Sequence, residues 1–111
     1  MRHVGLHIGG GPNDEAGRRP FLRAIESRHR QFLHCYRYVR EPLRGGTFGA
    51  DLFVARGGGA PEVRRTRQRL GPGEFESCMV DAFNSVRFAA PGKPTSLSYS
   101  LRFDVTEPSA P

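Results

Sequence analysis

Over Phe21–Val39 the apolar residues Phe21, Leu22, Ile25, Phe32, Leu33, Tyr36 and Val39 recur in steps of three and four. That spacing predicts an α-helix with one buried face. Arg23, Glu26, Arg30, Arg37 and Arg40 form the opposite face. Pro20 stands at a first-turn position, where no N–H is needed. Pro42 ends the helix, because the residue before a proline is pushed out of helical backbone. The period then changes to two. In Thr47–Ala55, Phe48, Ala50, Leu52 and Val54 alternate with Thr47, Gly49, Asp51 and Phe53, as in a strand with one covered face. Phe53 falls on the outward side, where it reads either as scattered surface hydrophobicity or as a contact surface. After the Arg56–Gly59 turn, Glu62–Arg69 is a second strand, too charged to be central. Gly71-Pro72-Gly73 breaks the chain before a second helix, Glu74–Val86, whose apolar face is Phe75, Cys78, Met79, Ala82, Phe83 and Val86. Thr95–Val105 alternates most regularly of all.

Residues 1–19 read as a lead-in or flexible linker, with Gly9-Gly10-Gly11-Pro12 as its loosest part. Val4, Leu6 and Ile8 alternate, which allows a short added strand. Residues 20–106 form the folded domain, and 107–111 are a tail disordered by composition. The expected fold is α+β: a two-layer sandwich in the order helix, strand, strand, helix, strand. Its three-stranded antiparallel sheet has the strand order two–one–three, with both helices on one face and a right-handed crossover through the second helix. The arginine-rich second strand and the third strand become the edges.

Composition narrows the function. With 111 residues the chain is a single small domain. No apolar run approaches the roughly 20 residues of a membrane span. The N-terminus lacks the apolar centre of a secretory signal, which leaves a cytosolic domain or one cut from a longer exported protein. The net charge of +6 comes almost entirely from arginine. It permits an anionic partner, and Arg64, Arg65, Arg67 and Arg69 are the candidate anion patch for nucleic acid or an acidic glycan. Against this, the same arginines explain themselves as charges that protect an edge strand from self-association. The Arg56–Gly59 loop lacks the Gly-Lys-Ser/Thr ending of a phosphate loop and leads into Pro61. His3, His7, His29 and His34 lack metal-ligand spacing, and neither a nucleophile elbow nor a carboxylate pair is present. No cofactor is implied, and the chain reads as a binding module and not an enzyme. Cys35 and Cys78 both border apolar stripes on helices over one sheet face. A bond between them is geometrically feasible and would close a loop of about 43 residues; two buried free thiols are the alternative.

Several short motifs recur in one order. Cys35-Tyr36 ends the first helix, Gly46-Thr47-Phe48 opens an alternating strand, and a glycine hairpin precedes Val63. Phe75-Glu76-Ser77-Cys78 opens the second helix, Val86-Arg87-Phe88 follows with Pro91, and Ser98-Tyr99-Ser100-Leu101-Arg102-Phe103 closes the set. Over Phe21–Phe103 this resembles the AgmX/PglI C-terminal domain family of myxobacteria and their relatives, itself similar to the C-terminal domain of TonB energy transducers. Ala89 replaces the proline usual after the phenylalanine of the post-helix loop. The resemblance implies a periplasmic, non-enzymatic domain at the end of a longer chain anchored in the inner membrane. It would contact a periplasmic or outer-membrane protein within an energy-transduction, gliding-motility or transport machine. A periplasmic address fits a Cys35–Cys78 disulfide. It further implies that a partner segment adds to a sheet edge. The third strand is the expected edge, with Ser96, Ser98, Ser100, Arg102 and Asp104 as partner-binding residues, and strand-exchanged dimers are a further expectation.

Overall fold

The computed structural model describes residues 2–39, 45–71 and 73–103. Asp104, the expected tail and the Pro42 helix stop lie outside them. The fold is α+β, with a four-stranded antiparallel sheet and three α-helices. In chain order the elements are β1 (Arg2–Ile8), α1 (Glu15–Glu26), α2 (His29–Cys35), a 3₁₀ turn (Tyr36–Tyr38), β2 (Gly46–Val54), β3 (Glu62–Gln68), α3 (Glu74–Asn84) and β4 (Thr95–Phe103). The strands lie side by side in the order β1-β4-β2-β3. The three expected strands therefore take their expected order, with the first of them, β2, paired on both sides.

The sheet has one strand more than expected. Residues expected to form a loose lead-in make β1, which pairs antiparallel with β4: Arg2 faces Arg102, Leu6 faces Tyr99 and Ile8 faces Leu97. Burial of Leu6 and Ile8, both at 5% exposure or less, holds it there. Val4 sits at a register shift between His3 and Gly5 and remains exposed. The glycines that follow form a defined turn. Gly11 N–H donates to the Ile8 carbonyl at 3.0 Å. The Asn13 side chain then brackets Ile8, accepting its N–H at 2.7 Å and donating to its carbonyl at 2.9 Å. A side-chain amide thus stands in for a neighbouring strand at the outer edge of β1.

The long first helix also differs from expectation. It begins at Glu15, five residues before Pro20, because Asp14 caps it by accepting the Gly17 N–H at 2.8 Å. Pro20 lies inside α1. The helix breaks after Glu26, where Ser27 Oγ donates to the Ala24 carbonyl at 2.6 Å and Arg28 N–H bonds only three residues back, to Ile25. The break rotates α2 relative to α1. Phe32, Cys35 and Val39 still reach the core, but Leu33, expected on the apolar face, is 42% exposed.

The helices cover one sheet face. Phe48, Ala50, Leu52 and Val54 from β2 and Leu97, Tyr99, Leu101 and Phe103 from β4 meet Phe75, Met79, Ala82 and Phe83 from α3 in one core. Aromatic rings interlock there: Phe83 lies 4.7 Å from Phe32, 5.9 Å from Phe48 and 6.1 Å from Tyr99 between centroids. The Cys35–Cys78 disulfide joins the end of α2 to α3, with 5.6 Å between Cα atoms. Of the two alternatives the sequence left open for the cysteines, the bonded one is present.

Two predictions follow from this packing. Breaking the disulfide, by reductant or by Cys35→Ala with Cys78→Ala, releases the 43-residue loop in the unfolded chain. It should lower stability by about 3–4 kcal/mol, read as a lower urea midpoint, with a steeper slope because the uncrosslinked denatured chain exposes more surface. Burial, and secondarily the Glu26 carboxylate, hold the Tyr99 phenol proton well above the usual tyrosine range. A raised folded-state pKa contributes stability that is complete below the unfolded pKa of about 10 and is lost above it. Stability measured by denaturant should therefore fall as pH passes about 10, and Tyr99→Phe should flatten that decline.

Candidate protein-binding surfaces

The serines expected to line an edge do not lie at one. Ser96, Ser98 and Ser100 belong to β4, which pairs with β2 along its whole length and with β1 on its other side. Gly9 N–H extends the β1 ladder by donating to the Ser96 carbonyl at 2.9 Å. Ser96 and Ser98 are exposed and Ser100 and Arg102 half-exposed, on the sheet face that the helices leave open. Among the described residues the outer edges are β1 and β3, so the expected β4 edge is replaced by an interior strand. The alternation of Leu6 and Ile8 was the signal for this.

Arg64, Arg65 and Arg67 of β3 gather on that same open face, by a device that hydrophobic alternation does not reveal, while Arg69 lies one residue past the strand. Asp51 faces Arg65 and Leu52 faces Val63, so Arg64 is an extra residue at a β-bulge. The bulge turns Arg64 and Arg65 to the outer side together, where strict alternation would have sent one inward. Arg64 lies over the Phe53 ring, 4.2 Å from its centroid, and 3.5 Å from Glu62. Phe53, which the sequence left open as stray hydrophobicity or contact surface, is thus half-buried under a guanidinium.

Arg67 reaches across the sheet. It donates to Asp51 at 2.7 Å and to Ser98 at 3.2 Å, tying β3, β2 and β4 together. Gly49 makes room for it: a Cβ there would sit 3.1–3.2 Å from the guanidinium nitrogens and 3.3 Å from Ser100 Oγ. Arg65 and Arg69 remain exposed, with neither a hydrogen bond nor an ion pair to another described residue. The four arginines are therefore not equivalent: Arg64 and Arg67 are engaged within the sheet, and Arg65 and Arg69 face solvent.

On the inner side of β3, a cleft of about 380 Å³ separates the strand from α3. Val63, Thr66, Glu76, Ser77, Val80 and Asp81 line it, Arg64 and Arg65 border it, and Thr66 Oγ1 donates to Glu76 at 2.5 Å.

The glycine loop of the β2–β3 hairpin is occupied by the chain itself. Gly59 N–H donates to the Phe88 carbonyl at 2.8 Å and Phe88 N–H to the Gly59 carbonyl at 2.9 Å. Gly58 has φ +78°, and a Cβ there would stand 2.5 Å from the Phe88 carbonyl oxygen. Both cysteines are in the disulfide. Among the described residues, no three His, Cys, Asp or Glu side chains cluster as metal ligands, and no helix is long and apolar enough to cross a membrane.

No protein family, curated protein or solved structure matches the chain in comparisons.

The Arg67–Asp51 pair should be coupled but modest. A double-mutant cycle with Arg67→Gln and Asp51→Asn should return about 0.5–1 kcal/mol. The coupling should shrink as salt is raised, as read from urea denaturation.

Proposed function

We propose that this is a non-enzymatic protein-interaction domain that holds an extended partner segment by β-strand addition. On this reading it serves in the periplasm as a TonB-like module of an energy-transducing, gliding-motility or transport machine, within a longer membrane-anchored protein. The observation that carries it is the β1–β4 pairing. β4 already accepts an extended antiparallel segment, joined to the body through a glycine-rich turn and gripped by main-chain bonds and two apolar side chains, Leu6 and Ile8. A partner strand with apolar residues at the same alternate positions meets the same requirements, and takes this place when β1 leaves it. The helix–strand–strand–helix–strand order from α2 onward and the Cys35–Cys78 bond agree with the resemblance read in the sequence. The disulfide agrees with an oxidising compartment. The anion-module reading draws less support, since Arg64 and Arg67 are engaged within the sheet.

The test uses a peptide of the chain's own sequence from Arg2 to Gly9 as a surrogate partner strand. Leu6→Asp should loosen β1 and raise amide exchange along Ser96–Arg102 while β2 and β3 stay protected. Added peptide should restore that protection. Unchanged exchange of β4 in the peptide's presence would count against strand addition there.

A further inference from the structure

The free edge of β3 combines three features that point to one class of partner. Its outer ladder pairs with no described strand. Along its inner side runs the cleft to α3, a mixed lining in which Val63 and Val80 lie among Thr66, Glu76, Ser77 and Asp81 and Arg65 borders the rim. On its outer side Arg65 stands in solvent beside Arg67, already bonded to Asp51, and exposed Arg69 follows just past the strand's end.

We propose that this edge is a second strand-addition site, selective for an extended protein segment that carries carboxylates on one face and small apolar residues on the other. An added strand alternates its side chains between the two sides of the sheet. Those turned inward enter the cleft beside Val63 and Val80. Those turned outward lie beside the arginine row, where opposite charges across neighbouring strands attract and like charges repel. Arg65 is the unengaged guanidinium within β3, and Arg69 follows one residue past the strand's end at Gln68, so a carboxylate facing Arg65, with a second where the strand ends, meets both unengaged guanidinia. The middle outward position faces Arg67, which Asp51 already neutralises, and there a hydroxyl suffices.

This chemistry also decides between occupants. A second copy of the chain would bring its own arginine row against this one, and the repulsion that blocks such self-pairing favours an acidic strand. Nucleic acid fits less well, because Phe53, the aromatic ring on the open face, lies under Arg64 and is not offered for base stacking. The site is separate from the exchange at β4 and does not depend on it.

The experiment titrates the isotope-labelled, disulfide-bonded protein with three synthetic peptides of equal length. One alternates glutamate with valine, one alternates lysine with valine, and one has the composition of the first in blocked order. The alternating acidic peptide should shift the amides of Glu62–Gln68 and leave those of β1 in place, with binding weakening as salt is raised. It should bind about tenfold more tightly than either control. Arg65→Glu with Arg69→Glu should invert the preference toward the lysine peptide while the circular dichroism spectrum stays native. Equal binding of the blocked-order peptide, shifts that avoid β3, or an unchanged preference in the natively folded double variant would each overturn the proposal. Shifts confined to β1 and β4 would support exchange at β4 and refute the β3 site.

Discussion

The sheet has only one apolar face, and everything else in the chain is arranged to keep that face covered. Three short helices do it, none with a stripe wide enough to manage alone. The critical junction is between α2 and α3, where Phe32 meets Phe83 and the Cys35–Cys78 bond crosses beside them. α2 has only seven residues, well below the length at which a helix is stable in isolation. Its persistence depends on ring packing and on the covalent link to α3. Loss of that junction would bare Phe83 and loosen its stack on Phe48, 5.9 Å away between centroids. A small domain with this dependence belongs where the link is kept oxidised.

The apolar periodicity made most of this layout readable. The alternation of β2 and β4 located their buried faces residue for residue, and the step of three and four in α3 named its core residues. What the pattern could not carry were features settled by single side chains acting on the backbone. Asp14 started α1 early, and Ser27 broke the helix. A pattern read by hydrophobicity passes over both, because each is a polar residue satisfying a main-chain group. β1 was faint for another reason: only Leu6 and Ile8 point inward, and a bulge displaces the third member of the series. The candidate site was less legible than the fold. The arginines of β3 were visible, but a bulge has no signature in a run of like residues, so their convergence on one face was not.

These features give the open face and the edges distinct roles. The middle of the face is quiet: Gly49, Ser98 and Ser100 form a shallow bed that Arg67 crosses, with its charge answered by Asp51. The proposed recognition is assigned to the margins. One margin is a strand already in place and held mainly by two aliphatic side chains. The other is bare, basic and flanked by a cleft. On the proposed reading, such a domain would handle extended segments by their main chains and separate them by what alternates along them: apolar residues at one edge, carboxylates at the other.

The register of β1 carries a mechanical consequence. Arg2 lies opposite Arg102, so the outer ends of β1 and β4 emerge together at the same end of the sheet. Tension applied between those two ends peels β1 away one hydrogen-bonded pair at a time, from Arg2 toward Ile8. Tension directed along the strand axis, between the start of β1 and the start of β3 at the opposite end of the sheet, loads the rungs between them in parallel as shear. The same few bonds therefore yield to a small force in one direction and resist a much larger one in the other. The direction of pull, and not its size alone, decides whether this domain opens.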